Sequence, residues 1–552
     1  MTFLTEAIMT GLDWRALERV VARLMLLAGW RDVAVIGGSG DKGADIIGIR
    51  DLDGKPKIWV VQVKAVIRGN YVGTPAINQV IHAMSLYNAN VAVVATNGDF
   101  RDSTTKRKQD LNDHGFDLRL WNGSFLKSLV QQLPDIPHSA KEMRSYQRDI
   151  ISKVVGMYNE GYKKSLYVVA TGLGKTFIAA RIIRHLWESG HKRILFLCHA
   201  QDLALQLEQS IWSEISKEVP THLFFEGAPP LVINGINVGL YQTFYGYLGG
   251  IEPNTFDVVV IDEAHHALAT GFRKCIEHLA PQFLVGMTAT PWRGDGKSIS
   301  EVFGNPIAQV SLVDGMAMGY LAQVDYRLFC DNINWRVIPN ISKKRLSIRE
   351  LNKKLFIPQR DEAIISEIKK VSSQTSSPRI AIFSPSIKHA HRFSIMLNAA
   401  GISCVAISGQ NKIERRKMLL AFALGKYSAI IAVDLLNEGI DIPDVNLLVF
   451  LRATHSRRIF IQQLGRGLRL SPGKEKVVVL DFVSDIRRIA DVMNMDTEGK
   501  KKGGDYEVLF LQDGMVSFND RSAHRFVNEW LKDITDLGDY ADSEKLVFPE
   551  GL

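Results

Sequence analysis

Between residues 12 and 28, Leu12, Leu17, Val20, Val21, Leu24 and Leu27 recur at helical spacing, so the pattern predicts an amphipathic helix with one buried face. Short β-rich runs follow (VAVIGG, ADIIGI, KIWVVQV, NVAVVAT), interrupted by a helical stretch near 75–87. Together they predict a small α/β domain over residues 1–133. From 138 to 330, the apolar runs SLYVVA, RILFLC, VVVID and FLVGMTA alternate with helical patterns. Residues 378–490 repeat that style with RIAIFS, SCVAIS, AIIAVD, NLLVFL and KVVVLDF. Strands that are apolar on both faces, each followed by a helix, predict parallel sheets covered on both sides.

The fold class expected is therefore α/β, with a small N-terminal domain, two parallel-sheet lobes and a short C-terminal extension over 503–552. Residues 331–377 read as a basic connector, because 341–360 hold seven Lys+Arg and one Glu, and SSQTSSP at 372–378 reads as a flexible joint. Lys500, Lys501, Lys502, Gly503 and Gly504 mark the last boundary. No short solenoid-type repeat is present.

At 552 residues the chain is too long for one core, which excludes a single small binding module. Its 46% hydrophobic and 23% charged residues exclude the collagen-like, disordered and low-complexity classes. No run of 18 apolar residues occurs and the start, MTFLTEAIMTGLDW, lacks a signal-peptide layout, so a cytoplasmic protein is expected. Cys198, Cys275, Cys330 and Cys404 lie far apart and read as buried hydrophobes rather than as disulfide or metal partners. The net charge of +8 hides an asymmetry: residues 503–552 carry 4 Lys+Arg against 11 Asp+Glu, and the rest carries 63 against 48. A basic body fits a polyanionic partner such as nucleic acid, and equally a solvated basic face.

ATGLGKT, Ala170 to Thr176, sits between a strand-like run and the helical run FIAARIIRHLW. Strand, Gly-rich loop and helix make a phosphate cradle: backbone N–H groups of Thr171, Gly172, Leu173 and Gly174 face phosphate, Lys175 reaches the β/γ phosphates, and the Thr176 hydroxyl holds Mg²⁺. Val169 stands where the general motif has its first Gly. VVVIDEAHH ends a strand in Asp262 and Glu263, two carboxylates suited to holding Mg²⁺ through water and to polarising an attacking water.

With these two motifs the chain resembles superfamily 2 helicases and translocases of the DEAH kind, and above all the motor subunits of type I and type III restriction systems. The resemblance covers residues 140–485 and implies two RecA-like lobes that bind ATP and Mg²⁺. RSYQ at 144–147 resembles the adenine-reading motif, with Arg144 and Gln147 at the nucleotide. HAQDLALQ at 199–206 and YQTF at 241–244 resemble motifs that touch a nucleic-acid backbone, and Thr288, Ala289 and Thr290 resemble the motif that links hydrolysis to strand movement. In the second lobe, IFSPS at 382–386 and AVDLLNEGIDIPDV at 432–445 resemble motifs four and five, placing Gly439 and Asp441 near the ribose. FIQQLGRGLRL resembles motif six, in which Gln462, Arg466 and Arg469 face the nucleotide, although Gln463 and Val433 depart from the residues common in relatives.

In the N-terminal domain DKGADIIG, Asp41 to Gly48, precedes KIWVVQVK at 57–64. Asp45 is expected at the start of one strand, with Gln62 and Lys64 on one face of the next. With Glu18 on the first helix and AINQVIHA at 76–83, this resembles the PD-(D/E)xK fold of Mrr-like restriction endonucleases. The resemblance implies that Asp45, the backbone carbonyl after Gln62, and Glu18 bind Mg²⁺, that Lys64 orients the attacking water, and that Gln79 supports the site. Gln62 stands where many relatives carry an acid.

The expected function is an ATP-dependent DNA helicase or translocase coupled to a Mg²⁺-dependent endonuclease, acting on duplex DNA in restriction-like defence. No NPPY-like or DPPY-like motif occurs, so modification and target recognition are expected of a partner protein; no membrane partner is expected. Two other readings use the same residues and stay open: a repair helicase with a non-cleaving, DNA-binding front domain, and an ATP-gated nucleic-acid sensor that recruits a partner.

Overall fold

The computed structural model describes residues 3–36, 43–135, 142–224, 233–289, 299–329, 345–355, 361–407, 412–433, 444–451, 457–474, 476–482, 485–502 and 545–547. The N-terminal sheet contains β1 (Arg31–Val35), β2 (Ile46–Leu52), β3 (Lys55–Lys64), β5 (Val91–Thr96) and β7 (Leu118–Trp121), in the order β1-β2-β3-β5-β7, with a small parallel pair β4 (Tyr71–Val72) and β6 (Asp99–Phe100). β1, β2 and β3 are antiparallel, whereas β3, β5 and β7 are parallel. The switch follows from the connections. Asp53 and Gly54, with φ of 53° and 72°, make the two-residue turn that closes the β2–β3 hairpin, while helix Pro75–Tyr87 crosses over between β3 and β5. Helix Trp14–Leu27 buries Leu17, Val21 and Leu24 in a core shared with Trp59, and Trp30 meets Trp59 edge to face at 5.1 Å.

A second sheet holds β8 (Lys164–Val169), β9 (Arg193–Cys198), β10 (Thr221–Phe224), β11 (Gly235–Leu240), β12 (Val258–Ile261), β13 (Phe283–Thr288) and β14 (Ala308–Val310), in the order β10-β11-β9-β12-β13-β8-β14. A third holds β15 (Gln323–Phe329), β17 (Ile380–Phe383), β18 (Cys404–Ile407), β19 (Ala429–Ala432), β20 (Leu447–Phe450) and β21 (Lys476–Phe482), all parallel, in the order β15-β21-β20-β17-β19-β18. β16 (Arg345–Ser347) pairs antiparallel with β22 (Lys545–Val547), the described part of the C-terminal extension. The chain resolves into two compact units, Met1–Ser165 with Thr176–Gly286, and Leu166–Lys175 with Met287–Leu552.

The third sheet and its core reach upstream of residue 378. β15 joins β21, and helix Asp361–Gln374 buries Ile364, Ile365, Ile368 and Val371 in the core beneath β17. Residues 361–374 of the stretch that composition marks as a connector are therefore part of the second lobe, and the Ser-rich joint begins as the last turn of that helix. QVDYRLF alternates charge with apolar residues because β15 is an edge strand, which hides it among the continuous apolar runs. Cys198, Cys275 and Cys404 are buried, and Cys330 lies outside the described residues. Among the described residues no helix is long and apolar enough to cross a membrane.

Candidate active sites

β8 ends at Val169 and, after five intervening residues, the helix Lys175–Glu188 begins. Gly172 and Gly174 turn the loop between them with φ of 90° and 83°, a region that L side chains rarely occupy. Leu173 is fully buried and anchors the loop, its N–H donating to the Ala170 carbonyl at 3.2 Å. Thr171, Gly172, Gly174, Lys175 and Thr176 stay partly open at a helix N-terminus, the arrangement that holds phosphate. The loop packs closely on helix Arg457–Gly467: a Cβ on Gly172 would stand 2.6 Å from the Gly465 carbonyl oxygen, and one on Gly465 would stand 2.7 Å from that of Thr171. The Cγ of Arg469 lies 3.4 Å from the same Gly172 position, so the structure brings motif six to the loop. Gln462 and Arg466 lie on that helix, and Gly439 and Asp441 lie outside the described residues.

Asp262 and Glu263 follow β12 and are buried. Asp262 accepts from the Glu263 N–H at 2.9 Å, and its own N–H donates to the Leu197 carbonyl. Glu263 adopts φ 48° and ψ 56°, a left-handed conformation costing about 1–3 kcal/mol for a residue other than Gly, which marks the position as one the surroundings enforce. Its carboxylate lies 3.4 Å from His265 Nδ1. Burial and the charge on Asp262 push the neighbouring Cys198 thiol up, so Cys198 stays a neutral apolar neighbour. Arg144 and Gln147 form the N-terminal turn of helix Ser145–Asn159. The Gln147 Oε1 accepts from the Arg144 N–H at 3.0 Å and its amide nitrogen donates to the Tyr146 hydroxyl at 3.3 Å, so here Gln147 works as a helix cap.

In the N-terminal domain the hairpin register sets Ile46 opposite Val61, which puts Asp45 beside Gln62. The buried Asp45 carboxylate accepts from the Gln62 amide nitrogen and from the Val63 N–H at 2.6 Å. Gln62 Oε1 is buried and accepts no hydrogen bond among the described residues, leaving an amide oxygen beside a carboxylate, a donor set that suits a hard, oxygen-seeking cation. Lys64 closes β3 half-buried, on the same strand face as Gln62. Glu18 is half-buried on helix Trp14–Leu27, which packs on β2 and β3. Gln79 is exposed, and its backbone is the part that counts: Gly43, at φ 93°, comes so close that a Cβ would stand 2.3 Å from the Gln79 carbonyl oxygen. Among the described residues no group of three or more His, Cys, Asp or Glu is placed to hold a metal ion.

Sequence reasoning missed Asn97. Its amide nitrogen donates to the carbonyls of Ile8, Met9 and Val66, and its oxygen accepts from the Val66 N–H at 2.8 Å, which ties the strand ends beyond Lys64 and Thr96 to the N-terminal turn. An Asn-Gly pair after an apolar strand was the available signal.

Three family models match successive stretches of the chain. They are a restriction endonuclease over residues 9–130, the type III restriction enzyme res subunit over 140–293, and the helicase conserved C-terminal domain over 359–471. In chain order these are the models of a restriction endonuclease domain followed by the two parts of a helicase core. It is 28% identical over 450 residues to the type I restriction enzyme EcoAI endonuclease subunit of Escherichia coli, across 72% of this chain and 55% of that protein. The putative ATP-dependent helicase IRC3 of Saccharomyces cerevisiae is 24% identical over 63% of this chain and 52% of its own length. The chain spans about half the length of these curated relatives. The solved ATP-dependent type ISP restriction-modification enzyme LlaBIII bound to DNA shares the fold over 99% of this chain and 43% of that one, at 16% identity and a TM-score of 0.52.

Proposed function

We propose that this chain is an ATP-driven translocase on duplex DNA whose front domain cuts phosphodiester bonds with Mg²⁺, in restriction-like defence against foreign DNA. The observation that carries the reading is that one polypeptide folds both a left-handed glycine loop opening onto a helix and a hydrogen-bonded Asp45–Gln62 pair at a strand hairpin, with Lys64 two residues further along the strand of Gln62.

In the motor, the loop N–H groups and Lys175 hold the nucleotide phosphates, with Thr176 and Asp262 at the Mg²⁺ and Glu263 orienting the attacking water. Arg466 and Arg469 bring positive charge to the transferring phosphoryl group, so that hydrolysis depends on how helix Arg457–Gly467 meets the loop. The resemblance assigns Arg144 and Gln147 to the base, Gly439 and Asp441 to the ribose, and Gln462 to the nucleotide beside Arg466 and Arg469. In the front domain, Asp45, the Gln62 side-chain oxygen, the Val63 carbonyl and Glu18 would hold the metal. When bound, Mg²⁺ supplies Lewis-acid polarisation of the scissile phosphate. Lys64 orients the attacking water and offsets charge on that phosphate. Target choice and modification fall to a partner protein.

The test uses wild-type, Asp45→Ala and Lys175→Ala proteins on supercoiled and linear plasmid with Mg²⁺, with and without ATP, scoring strand breaks and phosphate release together. Loss of breaks in Asp45→Ala with phosphate release retained, and loss of both in Lys175→Ala, is the expected result. DNA-stimulated phosphate release without breaks in any sample would favour a helicase whose front domain only binds. Breaks at the wild-type rate in Lys175→Ala would show that the motor does not license the cut.

A further inference from the structure

Helix Trp14–Leu27 carries Glu18 and, beside it, Arg19 and Arg23 one helical turn apart on a common face. That face meets helix Gln201–Trp212, whose first turns hold most of HAQDLALQ. Glu208 on this second helix has a fully buried side chain, and both of its carboxylate oxygens accept from Arg19 Nε at 3.2 Å. Glu208 also accepts from the Thr221 hydroxyl at 2.6 Å, and that hydroxyl accepts from Trp212 Nε1 at 2.9 Å. Arg19 Nη2 donates to the Thr221 carbonyl at 3.0 Å. Arg23 is buried over the Phe3 ring and donates to the Val219 and Ser216 carbonyls. Burial pushes its guanidinium down to about 9, and the Glu208 charge opposes that shift. Trp212 completes the join by entering the hydrophobic core of the N-terminal domain.

A tether between two domains requires none of this. Taking the Glu208 carboxylate and the Arg23 guanidinium fully out of water, with Arg19 largely so, is unfavourable before pairing, and apolar contact alone would hold the helices together at less cost. What directional, charge-assisted bonds add is a fixed register. We propose that Glu208 is a positioning residue for DNA cleavage: through Arg19 it locks the helix bearing Glu18 to the helix that begins with the backbone-touching motif. The inference rests on the nuclease–motor reading above. Gln201 and Glu208 lie seven residues apart, so the DNA grip at the head of the helix and the nuclease anchor further along it are separated by only about 10 Å of helix. The cutting site then travels with the first lobe at a fixed offset and does not swing on a linker.

The experiment is cleavage of linear DNA bearing a tightly bound protein roadblock that halts the motor, with cut positions mapped to the nucleotide and phosphate release measured in parallel. The variants are Glu208→Ala and the milder Arg19→Lys, which keeps the charge and loses the fork. Wild type is expected to cut within a narrow window beside the block. Glu208→Ala should spread that window and lower cuts per ATP by about 10- to 100-fold, with DNA-stimulated phosphate release within about twofold of wild type, and Arg19→Lys should fall between. If Glu208→Ala does not fold, Arg19→Lys carries the test alone. An unchanged window and unchanged cuts per ATP in a folded variant would overturn the positioning role, as would a drop in cut yield with no spread of positions. No cutting by wild type would instead overturn the nuclease reading on which the proposal rests.

Discussion

Gly172 and Gly465 meet backbone to backbone: neither position has room for a methyl group, because each would meet a carbonyl oxygen of the opposing segment at 2.6–2.7 Å. Gly172 also needs its left-handed φ of 90°, for which an L side chain costs about 1–2 kcal/mol, whereas Gly465 has no such requirement. The two alanine variants should therefore differ. Gly172→Ala distorts the loop itself and should abolish nucleotide binding, measured by titration with a fluorescent ATP analogue. Gly465→Ala leaves the loop conformation free and should retain binding while lowering the rate of phosphate release, since it holds motif six away from the loop.

Glu263 offers a way to separate activity from stability. Its left-handed backbone is a strain of about 1–3 kcal/mol that Gly would relieve. Gly also adds about 0.5–1 kcal/mol of unfolded-state entropy, so the two effects largely offset. Glu263→Gly should melt within a few degrees of wild type and release no phosphate above background. A large drop in melting temperature would show that the carboxylate and its 3.4 Å approach to His265 hold the segment together.

Strand periodicity put Gln62 and Lys64 on one face, and the structure adds what it left out: the two-residue Asp53–Gly54 turn fixes the hairpin register that sets Asp45 beside Gln62. Continuous apolar runs such as VVVI and AIIA likewise announce β12 and β19 as central parallel strands. β10 and β15 escaped, since THLF is half-exposed and QVDYRLF alternates as an edge strand does. The Arg19–Glu208 bridge joins positions 189 residues apart, and no periodicity links them. Gln147 shows a different limit: the spacing in RSYQ serves a helix cap as well as a base contact.

Asp314 and Lys502 supply a pH-dependent link between helix Leu312–Ala317 and the end of helix Ile486–Lys501. Burial would raise the Asp314 pKa, but the hydrogen bonds from Lys502 and Ser311 together outweigh it and hold the carboxyl below its ordinary value of 3.8. Burial likewise opposes the Lys502 charge, and its bonds to Asp314 and Glu498 raise it above 10.5. A depressed carboxylate stabilises the fold above pH 3.8, and that contribution is lost as pH falls through the lower folded value. The raised lysine acts in the opposite sense, losing its contribution as pH climbs above 10.5. Asp314→Asn should thus cost about 0.5–1 kcal/mol at neutral pH, with the gap to wild type closing in acid, as denaturant melts across pH would show.

Gln62 Oε1, which accepts no hydrogen bond among the described residues, makes Gln62→Glu the most informative change in the front domain. The amide now donates to Asp45, and a carboxylate in its place would set two negative charges within hydrogen-bonding distance inside a buried site. Without a divalent ion these repel, so the variant should melt below wild type, or keep one carboxyl protonated to avoid the clash. With Mg²⁺ the added charge becomes a ligand, and the metal should raise the variant's melting temperature by more than it raises that of wild type, because a ligand stabilises in proportion to its preference for the folded state. Half-saturation for cleavage should move to lower Mg²⁺ in step. Equal metal-induced shifts for the two proteins would place the cation away from Gln62, leaving the amide as a structural partner of Asp45.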